Sequence, residues 1–383
     1  MQAVVLAGGE GSRLRPLTKN RPKAMIRVGN RPILASTLDA LLKNGIREIV
    51  VVAGYRSEQV LDYLGRLELE VDVVIQERQL GTAHALACAR DRIHGDFLVL
   101  PGDNWIDAAS IAKIKGERNA MLVKEHAHPS NFGVVRIRDG KVVGIREKPT
   151  IPTEQTVSTG ILSLTPSFFD CMFTTEIPDA LMEMIARGIE IRAIEAEQWH
   201  DALVPWDLLR MNALLLQRTK SLRAGTIERG ATIRNHVAIG KGSVIHPSTT
   251  IVGPCVIGKD ARIGPNVTVM PNTSIGSRVT IEPHALVSDS IVMDDVTVGS
   301  HCSIVSAVIG EGCTLEKHVS TVIARSPFRI GDTHWEAEFG AIVGDHVDIA
   351  PFTVLKNCIV GNDVTIEEGR TIRGTLPDNS CVM

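Results

Sequence analysis

The chain has 383 residues and a formal net charge of −3 at pH 7, and at about 150 residues per domain its length predicts two or three domains. The charge argues against a nucleic-acid-binding protein, which would need a basic surface, although local basic sites for small anions stay possible. Aromatic residues make up only 4% of the chain, which favours sheets and repeats packed with small aliphatic side chains. The seven cysteines form no CxxC pair, so we expect reduced thiols and no zinc site.

The N-terminal residues MQAVVLAGG lead directly into an apolar strand and a glycine loop. This start lacks the basic and apolar regions of a signal peptide. No apolar run in the chain approaches the ~18 residues that a membrane span needs. We therefore expect a cytoplasmic protein with no membrane and no nucleic acid among its partners.

The first half of the chain alternates strand and helix patterns. Short apolar runs predict strands at 3–7, 49–53, 71–76 and 97–100, and helical spacing predicts helices at 33–43, 57–64 and 83–93. This order predicts a Rossmann-like α/β domain with a mostly parallel sheet. Ligands bind such sheets beyond the carboxyl ends of the strands, where the glycine loop and Asp103 fall.

Two further elements complete the first half. The segments 133–138 and 142–145 flank Asp139-Gly140 and predict a β-hairpin. Residues 205–220 form an amphipathic pattern, which predicts a helix that closes the first domain and leads out of it.

The second half has a period of six, which neither a helix nor a simple strand produces. The aliphatic residues on this period are Ile227, Ile233, Ile239, Ile245, Ile251, Ile257, Ile263, Val269, Ile275, Ile281 and Val287. A coil of three short strands per turn, with one inward aliphatic residue per strand, accounts for this spacing. The repeat resembles the hexapeptide of left-handed parallel β-helices. We therefore divide the chain into an α/β domain at 1–221 and an all-β left-handed β-helix at 222–383.

The hexapeptide phase then changes. Met293 keeps the phase, whereas Val298 and Ile304 come one position early. Regularity is lost over 316–339 and resumes at Val343, so we predict a loop that leaves the coil there. The resemblance to β-helix proteins implies a homo-oligomer, with a trimer as the expected state.

A glycine-rich loop follows the first predicted strand. Gly8, Gly9 and Gly11 would let backbone N–H groups approach phosphate oxygens, and Arg13 adds a forked donor. The loop is not a P-loop, because it has no GxxxxGK[ST], and it lacks the last glycine of the Rossmann fingerprint. Taken alone, it would be weak evidence for a phosphate site, since turns also need glycine.

The complete string 9–18, GEGSRLRPLT, is followed by Pro22-Lys23. It resembles the signature of the sugar-1-phosphate nucleotidyltransferases, which make an NDP-sugar and pyrophosphate from an NTP and a sugar-1-phosphate. The resemblance implies that Arg13 and Lys23 are catalytic. It also implies a nucleotide site formed by Leu6, Gly8, Gly9, Gly11, Ser12, Gln76, Gly81 and Thr82.

The same resemblance extends along the domain. Pro101-Gly102-Asp103 and Trp199-His200-Asp201 match segments that supply two metal carboxylates, which implies Mg²⁺ between Asp103 and Asp201. The implied sugar-phosphate site consists of Gly133, Glu147, Lys148 and Ser158. Ser158 replaces the asparagine usual in the family, so the sugar, glucose or an N-acetylhexosamine, stays open, as does the choice between UTP and dTTP.

The reaction itself requires this set of charges. Attack of a sugar phosphate on an NTP brings two polyanions together, so their repulsion must be neutralised before an in-line displacement. Mg²⁺ would bridge the reacting groups, Arg13 would stabilise the leaving pyrophosphate and Lys23 the α-phosphoryl group. The attacking phosphate is already ionised, so neither a general base nor a covalent intermediate is needed. Taken singly, Asp103 could instead be a turn residue and Asp201 a surface acid.

Two alternatives stay open. Some members of the family also acetylate glucosamine-1-phosphate from acetyl-CoA with a histidine base in the β-helix, for which His301 is the candidate here. The segment after His301 lacks the Gly-Asp of that pattern, and a histidine at a β-helix corner is more often a solvated residue. The other alternative is a non-catalytic relative, although such a protein would have no reason to keep Arg13, Lys23 and both carboxylates.

Overall fold

A computed structural model of the chain describes residues 1–331 and 333–383. The chain forms two compact units that interleave along the sequence. The first comprises Met1–Glu10, Asn20–Met25 and Pro32–Asp201, and the second comprises Gly11–Lys19, Ile26–Arg31 and Ala202–Met383. The predicted domains 1–221 and 222–383 differ from these units, because 202–221 and two N-terminal segments pack with the second unit.

The first unit is built on a nine-stranded sheet. Its strands in chain order are β1 (Gln2–Ala7), β2 (Ile49–Ala53), β3 (Asp72–Ile75), β4 (Phe97–Pro101), β5 (Ala120–Glu125), β6 (Gly133–Arg138), β7 (Lys141–Glu147), β8 (Thr156–Leu164) and β9 (Arg192–Glu195). They lie in the order β3-β2-β1-β4-β8-β5-β9-β7-β6. Strands β1 to β4 pair in parallel and β8 is antiparallel to its neighbours. The Rossmann-like fold is therefore confirmed.

Helices follow the strands of this sheet, as the alternating pattern predicts. The α-helices are α1 (Ile33–Lys43), α2 (Ser57–Leu64), α3 (Thr82–Cys88), α4 (Ala108–Ile114), α5 (Ile177–Ala186) and, in the second unit, α6 (Asp207–Leu216). The helix predicted at 83–93 ends earlier, and a separate 3₁₀ turn covers Arg90–Arg92. The other 3₁₀ turns are Ser12–Leu14, Lys23–Met25, Pro129–Asn131 and Pro166–Cys171. Every helix of the described residues is too short or too polar to cross a lipid bilayer.

Short strands stack in three columns to form a parallel β-helix in the second unit. This confirms the fold predicted from the six-residue period. The left-handedness of the β-helix stays a prediction. The first column holds Leu222–Arg223, Val237–Ile239, Cys255–Ile257, Thr273–Ile275, Ile291–Val292, Ala307–Ile309 and Ala341–Val343. The second holds Thr226–Ile227, Val244–Ile245, Arg262–Ile263, Thr280–Ile281, Thr297–Val298, Thr314–Leu315, Asp348–Ile349, Thr365–Ile366 and Cys381–Val382. The third holds Thr232–Arg234, Thr250–Val252, Thr268–Val269, Leu286–Ser288, Ser303–Val305 and Ser320–Val322.

Two longer strands, Val354–Val360 and Thr371–Leu376, run between the third and first columns. Outside the columns lie the short strands Arg27–Val28, Arg31–Pro32, Asn104–Ile106 and Trp199–Asp201 and the hairpin strands Ala324–Ile330 and Thr333–Phe339.

The strand register locates the missing residue. Ile263 pairs with Ile281, 18 residues later, whereas Ile275 pairs with Val292, 17 residues later. The prediction that Met293 keeps the phase is therefore wrong. The coil loses one residue in the corner between Val287 and Val292. This corner precedes the one that the aliphatic pattern indicates. The register is therefore set by the stacking of the backbone and not by the spacing of hydrophobic side chains.

Two other expectations are corrected. The loop predicted at 316–339 is mostly structured, because strand Ser320–Val322 stays in the coil and Ala324–Ile330 then pairs antiparallel with Thr333–Phe339. The helix predicted to close the first domain packs on the β-helix instead. Its buried Asn212 accepts a hydrogen bond from Ser274 Oγ at 2.6 Å and donates one to the Asn272 carbonyl at 2.8 Å, and these bonds satisfy an amide that would otherwise be costly to bury.

Glycine lets successive coils of the β-helix approach closely at one corner. A Cβ added at Gly258 would lie 2.5 Å from the Gly276 carbonyl carbon. We expect Gly258→Ala to lower the free energy of unfolding by about 1–3 kcal/mol, because backbone must shift to admit the methyl group. Thermal unfolding followed by circular dichroism measures the change. Gly95→Ala, where a Cβ meets nothing within 4 Å, is the control, and equal melting temperatures for the two variants would contradict the argument.

Candidate active site

The two predicted metal carboxylates lie next to each other in the first unit. Asp103 follows the end of β4 and precedes strand Asn104–Ile106, which pairs antiparallel with Trp199–Asp201. In this register Asn104 lies opposite Asp201. Asp201 therefore lies opposite the residue that follows Asp103, although the two acids are far apart in sequence.

Lys23 lies between the two carboxylates, in the 3₁₀ turn Lys23–Met25. Its Nζ is 3.2 Å from Asp103 Oδ2 and 2.5 Å from Asp201 Oδ1, and its side chain is only 9% exposed. Burial alone would lower the pKa of Lys23, but the two carboxylates outweigh burial and raise it. The ammonium group is therefore charged throughout the physiological pH range.

The Asp103–Asp201 pair fits a hard divalent cation in part. Two carboxylates that already converge on one positive charge supply the oxygen ligands that such cations prefer. Within the described residues there is no group of three or more His, Cys, Asp or Glu side chains that could hold a metal. Any ion at this pair would thus take its remaining ligands from water and substrate phosphate, as Mg²⁺ commonly does.

The predicted nucleotide-side residues of the first unit surround the end of β1. Leu6 accepts a hydrogen bond from Gly102 N at 2.8 Å, and Gly8 accepts one from Tyr55 N at 3.0 Å. Gln76 is almost fully buried, and its Oε1 is 3.1 Å from the position that a Cβ on Gly8 would take. Gly8 therefore allows a close approach of Gln76, and a Cβ at Gly9 would point into open space.

Gly81 and Thr82 begin helix α3, in contact with a segment that the sequence did not indicate. The backbone of Gly81 has φ +140°, and a Cβ there would lie 2.4 Å from the Thr175 carbonyl oxygen. Thr82 Oγ1 donates to Glu176 Oε2 at 2.9 Å. The Thr82 hydroxyl is thus already hydrogen-bonded within the protein. No sequence signal could have identified Glu176, because it precedes α5 and lies 94 residues from Thr82.

The four predicted sugar-phosphate residues meet on neighbouring strands. Gly133 lies opposite Glu147 in the β6–β7 hairpin, and a Cβ on Gly133 would be 3.0 Å from Glu147 Oε2 and 3.9 Å from Ser158 Cβ. Lys148 Nζ is 2.9 Å from Glu147 Oε1, and both side chains are about half exposed. The cluster therefore presents an acceptor carboxylate and a mobile cation beside a glycine, an arrangement that suits sugar hydroxyls and a phosphate.

Gly11, Ser12 and Arg13 belong to the second unit. Gly11 has φ +72° and begins the 3₁₀ turn Ser12–Leu14, a backbone conformation that favours glycine. The Gly11 carbonyl accepts a hydrogen bond from Thr18 Oγ1 at 2.8 Å. Arg13 is half-buried and Ser12 is exposed.

His301 lies in a column of exposed aromatic rings at one corner of the β-helix. Its ring stacks on His284 at 4.9 Å and on His318 at 5.0 Å between centroids, and His318 stacks on Phe352 at 4.8 Å. The spacing of the rings matches the distance between adjacent strands in a sheet. Sequence analysis singled out His301 alone and missed the column, because its members are 17 or more residues apart.

Each half of the chain matches a model of a known protein family. The family model "Nucleotidyl transferase" matches residues 2–218, and the model "GMPPB C-terminal domain" matches residues 251–377. A relative from Methanococcus maripaludis, named "Bifunctional protein GlmU", is 34% identical over 65% of this chain and 62% of its own length. Another of that name, from Methanocaldococcus jannaschii, is 29% identical over 91% of this chain and 88% of its own length.

Other similar proteins carry a different name. A "Glucose-1-phosphate thymidylyltransferase" of Streptomyces antibioticus is 30% identical over 66% of this chain and 77% of its own length. A Bacillus anthracis structure described as a glucose-1-phosphate thymidylyltransferase in complex with a sucrose has a TM-score of 0.51 and 27% identity, and the match covers 56% of this chain and 94% of that chain. The match to the Methanococcus maripaludis relative spans less than two thirds of that protein.

The Lys23 ion pairs make a prediction for stability. Lys23→Met leaves Asp103 and Asp201 close together without their cation. Because Asp103 is about one third exposed, we expect a loss of about 1–3 kcal/mol of unfolding free energy, less than for a fully buried pair. Chemical denaturation measures this loss, and MgCl₂ should reduce it because a divalent cation neutralises the same carboxylates.

The pH dependence of this effect has a defined sign. Since the folded-state pKa of Lys23 is raised, its contribution is complete below the ordinary lysine pKa of ~10.4 and is lost only at higher pH. The difference between wild type and Lys23→Met should therefore stay constant from about pH 6 to pH 9. Lys113→Met, which breaks an exposed ion pair with Glu197, is the matched control. A loss no larger than that of the control would refute the role of the buried lysine.

Proposed function

The chain belongs to the nucleotidyl transferase family, and we propose that it makes an NDP-sugar and pyrophosphate from a sugar-1-phosphate and UTP or dTTP. The observation that carries this proposal is the cluster in which the buried Lys23 Nζ bridges Asp103 and Asp201. Such a cluster provides both a cation and a pair of carboxylates at the carboxyl end of a parallel strand, where ligands bind in this class of sheet.

Each charged group has a distinct task in the proposed reaction. Lys23 stabilises the negative charge that develops on the α-phosphoryl group, and Arg13 stabilises the leaving pyrophosphate. Asp103 and Asp201 would hold Mg²⁺, which when bound screens the repulsion between the two phosphate-bearing substrates. Because the attacking phosphate oxygen is already ionised at neutral pH, no side chain has to remove a proton from it.

The polar residues around this cluster would orient the substrates. On the nucleotide side, Gln76 lies beside the glycine loop, and the open space at Gly9 leaves room for a phosphate to approach the backbone. On the sugar side, Glu147 accepts hydroxyl hydrogen bonds and Lys148 contacts the sugar phosphate. Ser158 is shorter than the asparagine usual in the family, so we propose no single sugar and keep glucose-1-phosphate and N-acetylhexosamine-1-phosphates as candidates.

A substrate screen tests the proposal. Pyrophosphate release is measured with four NTPs against a panel of sugar-1-phosphates in the presence of MgCl₂. We expect release with UTP or dTTP and at least one sugar-1-phosphate, and loss of release with EDTA. Silence across the entire panel would refute the enzyme and favour the non-catalytic alternative.

Arg13 provides the sharpest single-residue prediction. Arg13→Ala should lower kcat/KM by about 10²- to 10³-fold, as expected when one preorganised donor to a developing charge is removed. Arg223→Ala, on an exposed strand of the β-helix, is the matched control for loss of an arginine. An unchanged rate for Arg13→Ala in a folded protein would exclude the assigned role.

Acetyl transfer from acetyl-CoA to glucosamine-1-phosphate is the second candidate function, favoured by the relatives named bifunctional. His301 is the candidate base, and it is exposed in the middle of the ring column. Release of free thiol in the presence of both substrates measures the activity. We expect loss of release in His301→Ala and retention in His284→Ala, its stacked neighbour. No thiol release by the wild-type protein would refute this candidate.

The assembly of the chain is a separate proposal. We propose a homo-oligomer formed through the β-helix, with a trimer as the expected state. Light scattering coupled to size-exclusion chromatography measures the mass of the particle, and a monomer would contradict the proposal.

A further inference from the structure

The segment Gly11–Lys19, which contains Arg13, folds as part of the second unit. Leu14, Leu17 and Thr18 within it are almost completely buried. Hydrogen bonds inside the segment join Leu14 N to the Gly11 carbonyl at 2.9 Å and Leu17 N to the Leu14 carbonyl at 3.1 Å. Arg13 is therefore carried by a compact block rather than by a free loop.

Two residues near the other end of the chain hold this block. Asn362, which is fully buried, donates from Nδ2 to the Pro16 carbonyl at 3.2 Å. Asp378 Oδ2 accepts from Lys19 Nζ at 2.7 Å. These contacts join residues 346 and 359 positions apart in sequence, and they come from the last coils of the β-helix.

The two anchoring residues are themselves held rigidly. Asp378 Oδ1 accepts from Asn362 N at 2.6 Å and from Asn362 Nδ2 at 3.1 Å, and Asn362 Oδ1 accepts from Asp345 N at 2.8 Å. Burial alone would raise the pKa of the Asp378 carboxyl, but the hydrogen bonds from Lys19 and Asn362 outweigh burial and lower it. Hydrogen-bonded side chains at successive corners of the β-helix thus form a ladder, and this ladder ends on the compact block Gly11–Lys19.

We propose that Asn362 and Asp378 are positioning residues, through which the end of the β-helix fixes the conformation of the segment that carries Arg13. The inference rests on the proposed role of Arg13 in binding the leaving pyrophosphate. Neither residue is assigned any contact with substrate. The physical reason is that a donor stabilises developing charge only when its position is fixed beforehand, so misplacement of the block by about 1 Å would be costly.

The test variant is Asn362→Asp. It keeps the oxygen that accepts from Asp345 N, but it replaces the donor to the Pro16 carbonyl by an acceptor and places a second carboxylate beside Asp378. Lys19→Met removes the other contact and leaves the ladder intact. Ser277→Ala is the control, because it deletes a hydrogen bond between a corner side chain and the backbone elsewhere in the coil, from Lys259 N to Ser277 Oγ at 3.2 Å.

The first readout is activity in two backgrounds. Asn362→Asp should lower kcat by about 10- to 100-fold, with little change in the KM for the sugar phosphate, and Lys19→Met should lower it less. In an Arg13→Ala background the same substitution should cause no further loss, because the group that it positions is gone. An equal loss in both backgrounds, or a kcat for Asn362→Asp equal to that of Ser277→Ala, would overturn the proposal.

The second readout does not need activity, so it separates this proposal from the proposed function. Hydrogen exchange at the amides of Leu14 and Leu17 should be faster by roughly three- to tenfold in Asn362→Asp, as expected for loss of one hydrogen bond, and unchanged in Ser277→Ala. If the wild-type protein shows no pyrophosphate release, the proposed function fails while the exchange result still decides whether Asn362 anchors the block. Unchanged exchange in Asn362→Asp would overturn the anchoring itself.

Discussion

The first unit depends on the placement of one buried ammonium group between two carboxylates. Lys23, Asp103 and Asp201 come from three distant parts of the sequence, and the ammonium group of Lys23 would be costly to bury without the two carboxylates. Their mutual neutralisation lets a strand end, a 3₁₀ turn and a short antiparallel ladder meet at one place. The same balance supports the proposed chemistry, since a site that already balances positive and negative charge is suited to exchange its partners for a phosphate and a divalent cation.

In the second unit, the main constraint is the stacking of the backbone from coil to coil. Inward aliphatic residues such as Ile245, Ile263 and Ile281 lie directly above one another, and this continuous core stabilises short strands that would be unstable alone. Polar residues at the corners have another task. Asn362 and Asp378 satisfy backbone groups of the coil and also hold the segment that carries Arg13. The same two corner residues therefore stabilise the coil and anchor that segment.

Much of both folds could be predicted. The strands at 3–7 and 49–53 and the helix at 33–43 were predicted because buried parallel strands and amphipathic helices have distinct periods. Strands β5, β8 and β9 and helices α4 and α5 were not predicted, since short mixed segments carry no clear period. The phase at Met293 was wrong because a deletion in a corner changes the register without changing the composition. The departure from the coil after Val322 was predicted, but the antiparallel pairing of Ala324–Ile330 with Thr333–Phe339 was not.

The sequence by itself determined the two fold classes, the glycine loop and the residue types of the candidate site, because these follow from local periodicity and from a contiguous motif. Only the tertiary structure decided which of these residues meet. It paired Asn104 with Asp201, placed Glu176 on Thr82, and assigned helix Asp207–Leu216 and the glycine loop from Gly11 onwards to the unit of the β-helix. The physical reason is that strand pairing and the burial of polar groups join residues far apart in sequence, and no local pattern records those partners.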